Sequence, residues 1–143
     1  MQELAIEFFT EEIDFEVKNE EKVKAWLSEI ISKNSFELES LNYIFCSDEY
    51  LYQMNVEYLE HDTLTDVITF DNSDIEGVIE GDVFISIDRV VDNASTFHIS
   101  VEQELYRVMA HGLLHLLGYE DKTAEMQILM RSKEEECLHL LNL

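Results

Sequence analysis

Residues 109–123 read MAHGLLHLLGYEDKT, and three of them carry groups that bind metal ions. His111 and His115 are four apart. On an α-helix this spacing places two imidazoles on one face, about 6 Å apart along the axis. The apolar run ends at Gly118, a residue that can take positive φ and turn the chain back. Asp121 lies just past that turn, where its carboxylate can meet the two ring nitrogens. Three ligands with a fourth position open to water is the arrangement of catalytic rather than structural zinc. Other readings exist for each residue. An apolar helix also accommodates histidine as a core residue, Asp121 also suits a turn or an N-cap, and Glu120 offers a rival carboxylate. The glycine and the acid beyond it bring the metal site level with the core reading. Position 112 is glycine, so the HExxH motif and its glutamate base are absent. Two histidines with one carboxylate also match the facial triad of non-haem iron oxygenases, a minor alternative with no other feature to support it. His61, His98 and His139 fall in no ligand pattern.

A second group is Thr65, Asp66 and Asp82. The two acids open two expected strands and can face a metal or a substrate. In a chain this acidic, turn capping and solubility explain them as well, and composition alone favours that reading.

The elements that must position these groups follow from periodicity. Residues 4–9 read as a strand, with a short extended piece near 13–17. Val23, Trp26, Leu27, Ile30 and Ile31 have helical spacing, which predicts an amphipathic helix over 19–33. Residues 36–46 alternate as a strand, and Ser47 caps a helix reaching about residue 59. DVITF (66–70) and GDVFISI (81–87) form a hairpin around a polar loop at 72–80. A helix follows at 88–94. Ser100 and Gln103 make a capping box for a long helix to residue 117, with Gly118 as its C′ residue. Thr123 opens a last helix to about residue 141. The order implies an α+β fold: one domain over 1–143, a mixed sheet of about four strands packed by helices, and the metal site at the end of the long helix.

Composition limits the function classes. Nine Lys and Arg face 32 Asp and Glu, a net charge of -23. No Lys or Arg occurs between Lys33 and Arg89. Such a surface repels phosphate backbones at long range and favours cations or basic proteins. No apolar run approaches the ~18 residues that span a bilayer, and the acidic N-terminus is no signal peptide. Cys46 and Cys137 form no CxxC pattern, which argues against a disulfide framework or a thiolate zinc site. A cytoplasmic protein is the expectation.

Three segments in order carry a resemblance. HGLLHLLGYED resembles the HGxLHLxGYDH pattern of the YbeY family, metal-dependent endoribonucleases of ribosomal RNA maturation and ribosome quality control. MNVEYLEHDTLTDVITF is similar to that family's LNxxyRxxDxxTDVLSF segment, and GDVFIS to its GDIxIS strand. The match runs from Met54 to Asp121. It implies a single-strand endoribonuclease acting on ribosomal RNA precursor, at the 3′ end of 16S ribosomal RNA, with small-subunit ribosomal proteins as partners and neither DNA nor membrane. It implies one zinc ion per chain, held by three histidines spaced H-x3-H-x5-H. The first two fall on His111 and His115, the third on Asp121. A carboxylate oxygen is a competent zinc ligand, and as an anion it can move preference toward harder divalent ions such as Mn²⁺. Catalytic roles are expected for His111 and His115, with Asp66 and Asp82 as candidates for orienting the site or its substrate. The family's arginine four residues after the asparagine is Leu59 here. Arg89, Arg107 and Lys122 are the nearby basic residues, and Arg107 is expected to pair with Glu104. Two rivals remain: a non-catalytic ribosome-assembly or adaptor protein with a structural metal, and a metal-dependent hydrolase of another substrate, such as a peptide.

Overall fold

The computed structural model describes residues 5–59 and 65–141. The strands are β1 (Ile6–Glu11), β2 (Glu37–Cys46), β3 (Val67–Asp71) and β4 (Val78–Ser86). The helices are α1 (Glu20–Lys33), α2 (Asp48–Leu59), α3 (Ile87–Phe97), α4 (Val101–Leu116) and α5 (Ala124–Leu140). The sheet order is β1-β2-β4-β3. β1 and β4 run parallel to β2, and β3 runs antiparallel to β4. This is the expected α+β fold with a mixed four-stranded sheet.

Alternation divides the sheet into two faces. Leu41, Tyr43 and Phe45 of β2 and Ile79, Val83 and Ile85 of β4 join the main core. Against them pack Val23, Trp26, Leu27, Ile30 and Ile31 of α1, the apolar stripe of α4, and Met130 and Cys137 of α5. The opposite face is thinner. There α2 covers Cys46 and Ile68 with Leu51, joined by Tyr50, Met54, Phe70 and Phe84. Two polar pins lock helices to this frame. The Tyr43 hydroxyl donates to the Met109 carbonyl at 2.9 Å, and the Trp26 indole donates to the Cys137 carbonyl at 2.7 Å. Burial pushes the Tyr43 phenol and the two free thiols upward, Cys46 to about 12 and Cys137 to about 11.

Two expected boundaries shift. Residues 13–17 form no strand; Ile13 and Phe15 instead tuck against the main core, so apolar contact rather than pairing holds the segment. β4 starts at Val78, not at residue 81, because the parallel ladder to β2 extends its pairing to Glu37–Val78 and Leu38–Ile79. The loop at 72–80 is correspondingly shorter. His61 lies outside the described residues. Among the described residues no helix is long and apolar enough to cross a membrane.

Candidate metal centre

The site is built on α4. Its N-terminus carries the full capping box: Ser100 Oγ accepts from the Gln103 N–H, and Gln103 Oε1 accepts from the Ser100 N–H. Such a cap contributes on the order of 1 kcal/mol. The helix then runs flat against the sheet, and Gly112 is what permits the approach. A Cβ there would sit 2.6 Å from Val83 Cγ1. The residue after the first histidine is therefore a packing position with no room for the glutamate of an HExxH helix.

The C-terminus of α4 closes in a Schellman motif. Tyr119 N–H bonds the Leu114 carbonyl at 3.0 Å, and Gly118 N–H bonds the His115 carbonyl at 3.1 Å. Gly118 has φ 108°, which a side chain would resist. The motif reverses the chain and delivers Asp121 to the histidines. Asp121 Oδ2 lies 3.4 Å from His111 Nε2 and 3.5 Å from His115 Nε2, and the two Nε2 atoms are 3.1 Å apart. The edge of a tetrahedron with zinc bonds of 2.0–2.2 Å is about 3.3–3.6 Å. Three lone-pair donors this close need a shared cation or proton between them, and the donor set suits a divalent metal. Among the described residues this is the one cluster of its kind. The α5 N-cap is Thr123, which frees Asp121 from that duty, and Glu120 is paired instead with Lys122 at 3.6 Å.

Electrostatics keep the candidate ligands ready. Burial, and then the adjacent His111, lower the His115 pKa; Asp121 and a backbone hydrogen bond at Tyr119 oppose this without reversing it. His115 is thus held toward the neutral form that donates a lone pair. On the other side of His111, Nδ1 sits 2.6 Å from Glu134 Oε2. Glu134 is contributed by α5 and its side chain is 3 % exposed. Burial is the strongest single effect on its carboxyl and pushes it up. The His111 hydrogen bond and the Arg107 charge together outweigh burial and leave it below the usual range.

Comparison with known proteins decides the family. The model of the endoribonuclease YbeY family matches residues 5–142. The chain belongs to that family. Endoribonucleases YbeY of Cytophaga hutchinsonii and Flavobacterium psychrophilum are 53% and 52% identical to it, covering 98% of both chains and 94% and 95% respectively. That of Parabacteroides distasonis is 38% identical over 96% of each. The solution structure of a Thermotoga maritima protein superposes with a TM-score of 0.61 at 29% identity, covering 94% of this chain and 89% of that one. Family membership makes this YbeY protein an endoribonuclease, a hydrolase of phosphodiester bonds in RNA.

The remaining expected residues lie elsewhere. Asp82 pairs across the ladder with Phe70, on the α2 face of the sheet, away from α4. Its carboxylate accepts from Asn42 Nδ2 at 3.0 Å and Asn72 Nδ2 at 3.3 Å. Asp66 stands before β3, where its carbonyl accepts from Ser86 N–H and its carboxylate from Asn93 Nδ2 at 3.4 Å. Neither joins the histidine cluster. Thr65 bonds the Val67 carbonyl at 3.4 Å. His98 is the left-handed C-cap of α3, and His139 lies in the last turn of α5. Leu59 ends α2. Arg89 is tied to Asp48 and Asp92, both at 3.1 Å. Arg107 pairs with Glu104 as expected, and with Glu134 as well.

Glu134 is the residue that sequence reasoning missed. Its signal was present: Met130, Glu134 and Cys137 share the buried stripe of α5. A carboxylate inside such a stripe needs a partner.

Proposed function

We propose that this YbeY protein is a zinc-dependent endoribonuclease that trims single-stranded ribosomal RNA precursor, at the 3′ end of 16S ribosomal RNA, in the cytoplasm. The observation that carries the metal assignment is the convergence of His111 Nε2, His115 Nε2 and Asp121 Oδ2 at 3.1–3.5 Å. His111, His115 and Asp121 hold the ion. A divalent cation there supplies Lewis-acid charge to a phosphate oxygen and lowers the pKa of water beside it. The chain's own groups do the rest. His111 and His115 present neutral nitrogens from a rigid helix, and Asp121 closes the third side from a turn. Asp121 is the most exposed of the three, its side chain 41% exposed against 18% and 26% for the histidines. Substrate therefore approaches from the Asp121 side, where an unstacked strand reaches more readily than a duplex. Asp66 and Asp82, apart from the ion, are assigned to orienting the RNA rather than to the bond-breaking step.

The net charge of -23 fits contact with basic small-subunit ribosomal proteins beside this activity. One assay tests the metal-dependent reading. Purified protein should cleave ribosomal RNA precursor, chelator should stop it, zinc should restore it, and His115→Ala should stay inactive. Cleavage that survives chelation sinks that reading.

A further inference from the structure

The polar groups behind His111 form a continuous buried chain. Glu104, Arg107, His111 and His115 occupy one stripe of α4, at steps of three, four and four. Glu104 Oε2 meets Arg107 Nη2 at 2.6 Å, and Glu104 Oε1 meets Arg107 Nε at 3.0 Å, a two-point grip. Arg107 Nη1 reaches across to Glu134 Oε1 at 3.0 Å. The other oxygen of Glu134 bonds His111 Nδ1. Arg131 approaches Glu134 Oε1 from the surface at 3.6 Å. Glu104 and Glu134 are both buried, at 0% and 2% exposure.

Burying ionised groups costs desolvation energy, which makes such a network a poor means of stabilisation by itself. At formal charges, the two carboxylates and the Arg107 guanidinium leave one negative charge, met from solvent only by the exposed Arg131 at 3.6 Å. A cation at His111 Nε2 offsets it. The arrangement is that of a carboxylate–histidine–metal triad, in which the far nitrogen donates its proton to a carboxylate and the near one offers a lone pair.

We infer that Glu134 is a positioning residue of the metal centre. Its carboxylate accepts the Nδ1–H of His111, fixes that tautomer and ring angle, and directs Nε2 at the ion. Arg107, anchored by Glu104, aims Glu134 in turn. This role rests on the metal reading above and extends it to a residue that touches neither the ion nor RNA.

The test measures zinc affinity of the purified full-length protein by competition with a chromophoric chelator. Glu134→Gln should bind zinc about 10–100-fold more weakly than wild type while keeping its helical circular dichroism. Its cobalt-substituted form should show shifted visible absorption bands. Glu136→Gln, on the same helix but facing Lys133, should match wild type in both. Nitrogen-15 NMR of zinc-loaded wild type adds a readout that needs no variant: His111 should carry its proton on Nδ1. A folded Glu134→Gln with wild-type zinc affinity and cobalt spectrum overturns the inference, as does a His111 proton on Nε2. Wild-type protein that takes up no zinc refutes the metal centre itself, a different failure from wild-type uptake unaffected by Glu134→Gln.

Discussion

The two faces of the sheet treat carboxylates in opposite ways. On the α4 face, Glu104 and Glu134 are buried and fully engaged, and they lead to a histidine. On the α2 face, Glu12, Glu49, Glu57 and Asp82 line an open cleft of about 750 Å³ beside Tyr50 and Phe84. There the acids stand at the edge of solvent, and Asp82 is satisfied by two asparagines. The difference teaches that acid density does not mark a site in this chain. Burial of a carboxylate does, because a buried charge survives only with partners that define its geometry. The four-step spacing of the histidines is meaningful for the same reason, since each imidazole is held from behind or beside.

The sharpest way to break this comparison is to delete one residue from each face. His115→Ala should lose zinc affinity by more than the ~100-fold typical of losing a partner one shell out, and RNA cleavage should vanish with it. Asp82→Asn should keep its metal content by elemental analysis, and its cleavage should weaken in KM for RNA rather than in kcat. Loss of zinc from Asp82→Asn would erase the distinction between the faces.

Packing on the α4 face supplies the next effect. Gly112→Ala pushes a methyl to within 2.6 Å of Val83 Cγ1 and should cost about 1–3 kcal/mol. The melting temperature reads this directly. A value equal to wild type would mean that α4 can lift from the sheet without strain.

A smaller effect concerns Asp121, the proposed third ligand. Asp121→His replaces a hard anionic oxygen with an imidazole and should lower manganese binding relative to zinc. Competition between the two ions on one preparation reports the ratio. An unchanged ratio would remove Asp121 from the ligand set.

The smallest effect compares a thiol from each cluster. Cys46 lies on the α2 side and Cys137 in the main core, and burial raises both, to about 12 and about 11. Neither should react with a disulfide reagent at pH 8 until the protein unfolds. The sign follows from linkage. The unfolded chain releases these protons near pH 9 while the native state retains them. Stability therefore falls as pH rises above about 9 and continues to fall until the native thiols ionise. Fast modification of either thiol in the native protein would show that its cover opens readily.

Much of this was legible in the residues. The stripe from Val23 to Ile31 announces α1, Ser100 with Gln103 announces α4, and Gly118 announces where α4 stops and turns. These are local effects: a cap, a period and a positive φ are satisfied within a few residues of chain. The placement of Asp66 and Asp82 was not legible, because which face an acid at a strand start will take depends on partners far away in sequence. Residues 13–17 misled for a related reason. They are extended and partly apolar, but their apolar side chains turn in to pack on the main core, and no strand pairs with them.

The sequence by itself determined the two histidines on one helical face, the glycine-terminated turn and the acid beyond it. Hydrogen bonds at a helix end act over one or two turns, so local chemistry suffices. Only the tertiary structure decided what stands behind the histidines. Glu134 is 23 residues from His111 along the chain, and nothing local to either predicts that α5 lies against α4. That contact is set by burying Met130 and Cys137 in the main core, and it carries the carboxylate in with them.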